Sequence, residues 1–339
     1  MVNSASLVVI ALCVGFGFAA LLLRARNNRV AARWSRLERK WEQAVLDALE
    51  DTEAAADLQR SIVPDEIPYF VDFLTRFARR LRGVERDRVA DLARPFLPEV
   101  RARLSSASPE VRARAVDMLG LLARRDSAGD LIAALDDPSL LVAMSAARAL
   151  TRERSAEFAE HVVARLHRFQ LWRPGFVAAM LAALGPEVAP ILRVALADPR
   201  VPPWVRSVAA GALARLNDPD AGDVAAEVLA HASDSDLVAA ALRVLAHVGR
   251  PEHLECIYRR LRAPEEAIRI AAVDALAALA GPHELPFLAD ALVDASPWVA
   301  EHAGRGLARG PGRPLLETIA RSDAPHALVA REALAEVPG

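Results

Sequence analysis

The strongest constraint on this chain is a period. An apolar residue, a small or apolar residue four places on, and a leucine eight places on recur along it. The copies are Val111-Ala115-Leu119, Val142-Ala146-Leu150, Phe176-Met180-Leu184, Val205-Ala209-Leu213, Leu237-Ala241-Leu245, Ile268-Ala272-Leu276 and Val299-Ala303-Leu307. A weaker last copy is His326-Ala330-Leu334. Their starts step by 27 to 34 residues, about 31 on average. Spacings of four and eight mark one face of a helix. A second apolar series steps with the first: Leu104, Leu135, Leu166, Leu196, Leu229, Leu261, Leu292 and Ile319. Two series moving together mean two helices per unit. One helical hairpin cannot bury its apolar faces alone, so neighbouring hairpins must stack. The fold class expected is all-α: a right-handed α-solenoid of about eight hairpins over residues 95–339.

Composition fits thin helical layers. Hydrophobic residues make up 53% of the 339, but aromatics only 5%, so the apolar content is mostly Ala, Leu and Val. Alanine favours helix and lets helices approach closely. Charged residues at 25% argue against disorder, and a net charge of −2 leaves no field to gather nucleic acid. Lys40 is the sole lysine among 42 basic residues. Cys13 and Cys256 lie far apart, with neither disulfide framework nor metal spacing, as in a reducing compartment. Between paired helices stand Ser108-Pro109, Asp137-Pro138, Asp198-Pro199, Ser296-Pro297 and Ser322-Asp323, where Ser and Asp can cap the next helix. After second helices come Gly120, Gly185, Gly249, Gly281 and Gly310, expected as left-handed C-terminal residues.

The N-terminus has a different character. Leu7 to Leu23 carries no charge over 17 residues, about 26 Å of helix, and Ser4 to Ser6 extend it toward the ~30 Å of a bilayer core. A cleaved signal would need a basic start and a small-residue cleavage site, and neither is present. The flank that follows is basic: Arg24, Arg26, Arg29 and Arg33 are the candidate contacts to anionic headgroups. The positive-inside rule then gives a single-pass anchor at residues 1–23, N-terminus out, in a bacterial inner membrane, with the repeats in the cytoplasm. Residues 24–62 read as one juxtamembrane amphipathic helix. Its stripe of Trp34, Leu37 and Trp41 either packs back on the following helices or receives a partner helix. Residues 63–94 read as capping helices, with apolar Phe70, Phe73, Leu74 and Phe77 on one face. Six arginines between Arg76 and Arg88 form a charged helix face there, the alternative being a groove for an acidic partner.

The units SPEVRARAVDMLGLLA, DPRVPPWVRSVAAGALARL and APEEAIRIAAVDALAALA resemble HEAT repeats of the short, PBS-lyase-type bacterial form, over about residues 95 to 337. The resemblance implies a scaffold, and it implies that Arg112, Arg206 and Arg269 tie adjacent turns together. Two enzymatic relatives of the repeat also bear on function. The deoxyhypusine hydroxylases need a set of His-Glu pairs for iron. Here only His283-Glu284 has that order, and Glu301-His302 reverses it. The phycobilin lyases need a tetrapyrrole pocket, and Trp172, Trp204 and Trp298 read instead as helix-start packing residues.

No nucleophile elbow, phosphate loop or zinc spacing occurs, so no cofactor, metal or small-molecule substrate is expected. The ridge of second helices is the expected binding surface. Its sixth frame position holds Asp117, Arg148, Ala182, Gly211, Arg243, Asp274, Arg305 and Glu332. Arg148, Arg243, Asp274 and Arg305 are the candidate partner-binding residues. The row mixes both signs, which suits a protein surface better than a polyanion. The expected function is a non-enzymatic, membrane-anchored adaptor for a membrane-associated protein, such as a component of an envelope or polysaccharide-synthesis machine. The competing expectation is a lyase-type enzyme or chromophore-binding protein on the same scaffold.

Overall fold

The computed structural model describes residues 31–123, 126–151 and 156–337, with Phe16, Arg24 and Asn28 as isolated helical positions. Among the described residues every regular element is helical. The expected span from Leu7 to Leu23 lies outside them except for Phe16, which is 81% exposed. No single helix among the described residues is long and apolar enough to cross a membrane. The chain divides into two compact units, Met1–Leu131 and Ile132–Gly339.

In the first unit, α1 (residues 31–50) ends where Asp51 turns extended and caps α2 (Thr52–Ser61). The Asp51 carboxylate accepts the amides of Glu53 and Ala54 at 3.1 and 3.3 Å. The single helix expected over 24–62 is therefore broken by an N-cap, an aspartate satisfying amide donors that would otherwise be orphaned. Next come α3 (Ile67–Ala78), α4 (Val84–Ala93), α5 (Leu97–Ala102) and α6 (Pro109–Leu122). Gly83, at φ 59°, is the left-handed turn that starts α4.

The core of this unit is aromatic. Trp41 is fully buried, edge-on to Phe70 at 5.1 Å and tilted on Phe73 at 5.9 Å, and Phe70 meets Phe96 at 5.3 Å. Leu37 and Val45 line the same side of α1. Trp34, half-buried, stands edge-on to Tyr69 at 5.2 Å. The stripe therefore packs back on its own unit. Leu37 and Trp41 are enclosed and offer nothing to a partner, and of the three only Trp34 keeps an open side.

In the second unit, α7 (Ala128–Ala134) crosses the boundary and is followed by α8 (Leu140–Thr151). Five hairpins succeed them: α9 (Ala156–Val163) with α10 (Pro174–Ala182), α11 (Ala189–Ala197) with α12 (Pro203–Leu216), α13 (Ala221–His231) with α14 (Ser235–Val248), α15 (Leu254–Tyr258) with α16 (Glu266–Leu279), and α17 (Leu285–Ala291) with α18 (Pro297–Arg309). A last pair is α19 (Arg313–Ala320) and α20 (Ala327–Glu336). Second helices touch second helices along α10, α12, α14, α16, α18 and α20, while α11, α13 and α15 touch along the other layer. The frame residues from Val205 to Leu307 are all buried, as the period requires.

Two readings of the sequence need correction. The frame starts Val111 and Phe176 are 39% and 44% exposed; Phe176 stacks on Trp172 at 5.6 Å, and its neighbour Val177 is the buried residue. Only the frame start slips, since Met180 and Leu184 are buried as expected; of two adjacent apolar residues, packing alone decides which one faces inward. Of the five glycines expected to be left-handed, only Gly185 has positive φ, at 101°. Gly120 is interior to α6, and Asn217, at φ 51°, caps α12. Gly306 has another role: a Cβ there would lie 2.6 Å from the Cβ of Ala277, so its hydrogen lets α16 and α18 close on each other.

Candidate partner-binding surface

The surplus of arginine has a structural use. On the first-helix layer, arginine forks reach from one repeat to the next. Arg165 grips Asp136 through two bonds of 2.8 and 2.7 Å, Arg193 grips Asp218 at 2.7 Å, and Arg260 donates to the carbonyl of Leu229. In the first unit Arg101 reaches Asp130 at 3.0 Å. Planar guanidinium suits such bidentate contacts better than ammonium does. Arg112, Arg206 and Arg269 share a more local contact: each donates to carbonyls ahead of its own helix, Arg112 to Ser106 and Ala107, Arg206 to Leu196, and Arg269 to Ala263 and Pro264, and Arg269 also reaches Asp294 of the next turn.

Histidines and acids that could suggest catalysis are held by structural partners. The Glu284 carboxylate accepts the Gly281 amide at 2.8 Å and the Tyr258 hydroxyl at 3.0 Å. His253, buried, accepts the Arg250 amide on Nδ1, so its proton sits on Nε2, which donates to Asp223 at 3.0 Å. His253 was not singled out from the sequence; a histidine 30 residues, about one period, after Asp223 was the available signal. Cys256 donates to the His253 carbonyl, and burial raises its thiol pKa, which makes it a poor nucleophile. Among the described residues no three metal-ligating side chains converge. Trp172 stacks on Phe176, Trp204 is half-buried and Trp298 is 59% exposed; no ring contact joins the three.

The second-helix layer carries the expected ridge. On it Asp274 of α16 meets His302 of α18, with Oδ1 and Nδ1 2.7 Å apart. Arg305 donates to Glu336 of α20 at 2.9 Å and pairs with Glu301 on its own helix. Asp274, His302, Arg305 and Arg309 wall a groove of about 630 Å³ whose floor is Ala246, Ala277 and Gly306. The floor is low because these helices approach through small residues, and the long side chains stand up around it. Arg243 faces Asp274 and Asp236 without bonding either; crowding by the surrounding helices lowers its guanidinium pKa from the ordinary value. Arg243 and Arg309 have no hydrogen-bonded or ion-paired partner among the described residues, and both are exposed.

The four ridge residues singled out from the sequence therefore divide. Asp274 and Arg305 line the groove on α16 and α18, Arg243 faces Asp274 from α14 without lining it, and Arg148 is exposed on α8 away from it. His302 and Arg309 belong to the groove and were not anticipated. They lie at frame positions three and ten, which share the helix face of position six. Of the basic flank, Arg24 is exposed, and Arg26 and Arg29 lie outside the described residues. Arg33 is exposed but sits over the Tyr69 ring, 5.0 Å from its centroid.

Comparison with known proteins agrees on the repeat. The family model for HEAT repeats matches residues 97–170 and 223–308. No curated protein gives a significant match to the sequence. Among solved structures, the complex of CpcE and CpcF of phycocyanin lyase from Nostoc sp. PCC7120 is 22% identical, with a TM-score of 0.35, over 71% of this chain and 87% of that one. A Kap121p mutant is 15% identical, with a TM-score of 0.46, over 91% of this chain but only 42% of its own. Kap121p bound to the extreme C-terminus of the phosphatase Cdc14p is 14% identical, with a TM-score of 0.46, over 83% and 39%. The chain thus spans about two-fifths of Kap121p. Over those two stretches, a little under half of the chain, the helical pairs are similar to HEAT repeats.

Proposed function

We propose that this chain is a membrane-anchored scaffold and not a catalyst. The run from Leu7 to Leu23 anchors it, and Arg24, Arg26, Arg29 and Arg33 meet anionic headgroups on the cytoplasmic side. The HEAT repeats hold a membrane-associated protein partner on the second-helix face of the second unit. The observation that carries this reading is the groove beside Arg243. Its floor is small and apolar, its rim alternates in sign, its Arg309 is exposed with no bonded partner among the described residues, and Arg243, equally free, faces its Asp274 from α14. Unpaired arginines next to apolar surface suit a protein interface, where Arg is enriched. The acids and imidazoles around them are already engaged in structural bonds.

The test is made on native membranes. The full chain is expected to stay in the pellet at alkaline pH, and a chain lacking residues 1–23 to move to the supernatant. A photocrosslinker at Ala278 is expected to trap one protein partner. Arg243→Glu with Arg309→Glu is expected to weaken that partner's binding at least roughly tenfold, as loss of charge-assisted contacts implies. Alkaline extraction of the full chain overturns the anchor. A crosslink that the double reversal leaves unchanged overturns the groove.

A further inference from the structure

A second polar groove lies in the first unit, walled by α1, α3 and α6, with a volume of about 490 Å³. Three arginines reach it, and they are held very differently. Arg76 is tied down: it pairs with Glu38 and covers the Trp34 ring at 4.5 Å. Arg79 is 4.0 Å from Asp117, and Arg114 is 3.7 Å from Asp72. Neither contact is a hydrogen bond, and the two side chains are 55% and 70% exposed. Two guanidiniums on adjacent helices thus keep their donor forks open to the same groove, beside the sulfur of Met118 and the free side of Trp34.

Asp72 stands against Arg114 and is mostly enclosed, its side chain 18% exposed. Burial pushes its carboxyl pKa up even though Arg114, Arg103, Arg76 and Arg79 all pull it down. It is therefore a weak internal counter-ion, desolvated and poorly placed to bond the fork beside it. A carboxylate arriving from outside can take both forks in the bidentate geometry that Asp72 and Asp117 fail to reach. The apolar surface of Trp34 and Met118 next to the forks favours a peptide over a bare anion.

We propose that this groove binds an acidic peptide segment of a protein partner. One carboxylate of the segment bridges Arg79 and Arg114, and a neighbouring apolar side chain lies against Trp34 and Met118. The site extends the scaffold reading, on which it rests for the existence of a protein partner, and it uses none of the residues of the groove beside Arg243.

The probe is a fluorescein-labelled peptide of alternating Glu and Leu, with a Lys-for-Glu peptide as control, read by anisotropy on the full chain in mild detergent. The Glu peptide binds and the Lys peptide does not. Arg79→Ala with Arg114→Ala weakens binding roughly tenfold to a hundredfold. Because both side chains are largely exposed, the unfolding midpoint is unchanged. Asp72→Asn removes the internal competitor and tightens binding severalfold, an opposite sign that a general loss of structure cannot produce. Arg243→Glu with Arg309→Glu leaves the peptide affinity as it is, so failure of the scaffold's other groove is separable from failure of this one. No measurable binding overturns the proposal, as does equal affinity in the Arg79 and Arg114 variant or a looser Asp72→Asn complex. Displacement of the peptide by dihexanoyl phosphatidylglycerol, dependent on the same arginines, makes the groove a lipid site instead.

Discussion

Trp41→Ala removes about 3–5 kcal/mol of stability from the first unit, the usual cost of deleting a buried aromatic. Trp41 is completely enclosed and joins Phe70, Phe73 and, through Phe70, Phe96 into one cluster. Deleting it opens a void that its neighbours cannot refill, because each is already in contact with another ring. In a repeat architecture stability is close to a sum of local terms, so the damage stays local. Hydrogen exchange checks this: amides of α1 and α3 lose protection, while those of α14 and α16 keep it. Equal loss in both regions would contradict the local picture. Trp41→Phe makes a sharper comparison. The indole Nε1 is buried without a hydrogen-bond partner among the described residues. An orphaned donor costs about 1–3 kcal/mol, so removing it offsets part of the lost volume. The Phe variant therefore unfolds within about 1.5 kcal/mol of the parent, and Trp41 is there for its size and not for its N–H.

What sequence could reveal follows the distance over which each signal acts. The period from Val142 to Leu307 is short-range patterning repeated many times, so burial of its frame residues was legible, apart from the slip at Phe176. The cap at Asp51 was equally local but overlooked, because no Gly or Pro accompanied it. The tandem arginine bonds span 25 to 31 residues, close to the period itself, as in Arg193–Asp218 and Arg260–Leu229. An arginine with an acid one period away was thus a readable signal of layer stapling. The groove of Arg79 and Arg114 was not readable in this way. It depends on α1, α3 and α6 meeting at angles that no repeat rule dictates, with Arg76 and Glu38 separated by 38 residues. The stripe of Trp34, Leu37 and Trp41 had the right helix face but an ambiguous destination, since amphipathic patterning says that a face is buried and not against what.

Arg269→Ala is the second large effect, about 2–4 kcal/mol at neutral pH, somewhat below the cost of breaking a fully buried pair because both partners are 16% exposed. Arg269 bonds both oxygens of Asp294, at 2.9 and 3.0 Å, and the carbonyls of Ala263 and Pro264, joining two successive repeat turns. Its removal leaves a carboxylate in a crowded place, with the Ser296 amide as its one remaining donor among the described residues. The pH dependence identifies the cause. Burial pushes the Asp294 pKa up, but the Arg269 and Ser296 bonds outweigh it and hold the group below its ordinary 3.8. A carboxyl depressed by folding contributes stability above its unfolded pKa and loses it as pH falls through the folded value. In the variant that depression is largely lost, so protonation becomes easier in the folded state. The stability gap between parent and variant is therefore full at pH 7 and narrows as pH falls below about 4. Urea unfolding of both proteins at the two pH values measures the gap, and the other carboxylates cancel in the difference. A gap that is constant with pH would mean that Arg269 acts through the carbonyls of Ala263 and Pro264 alone.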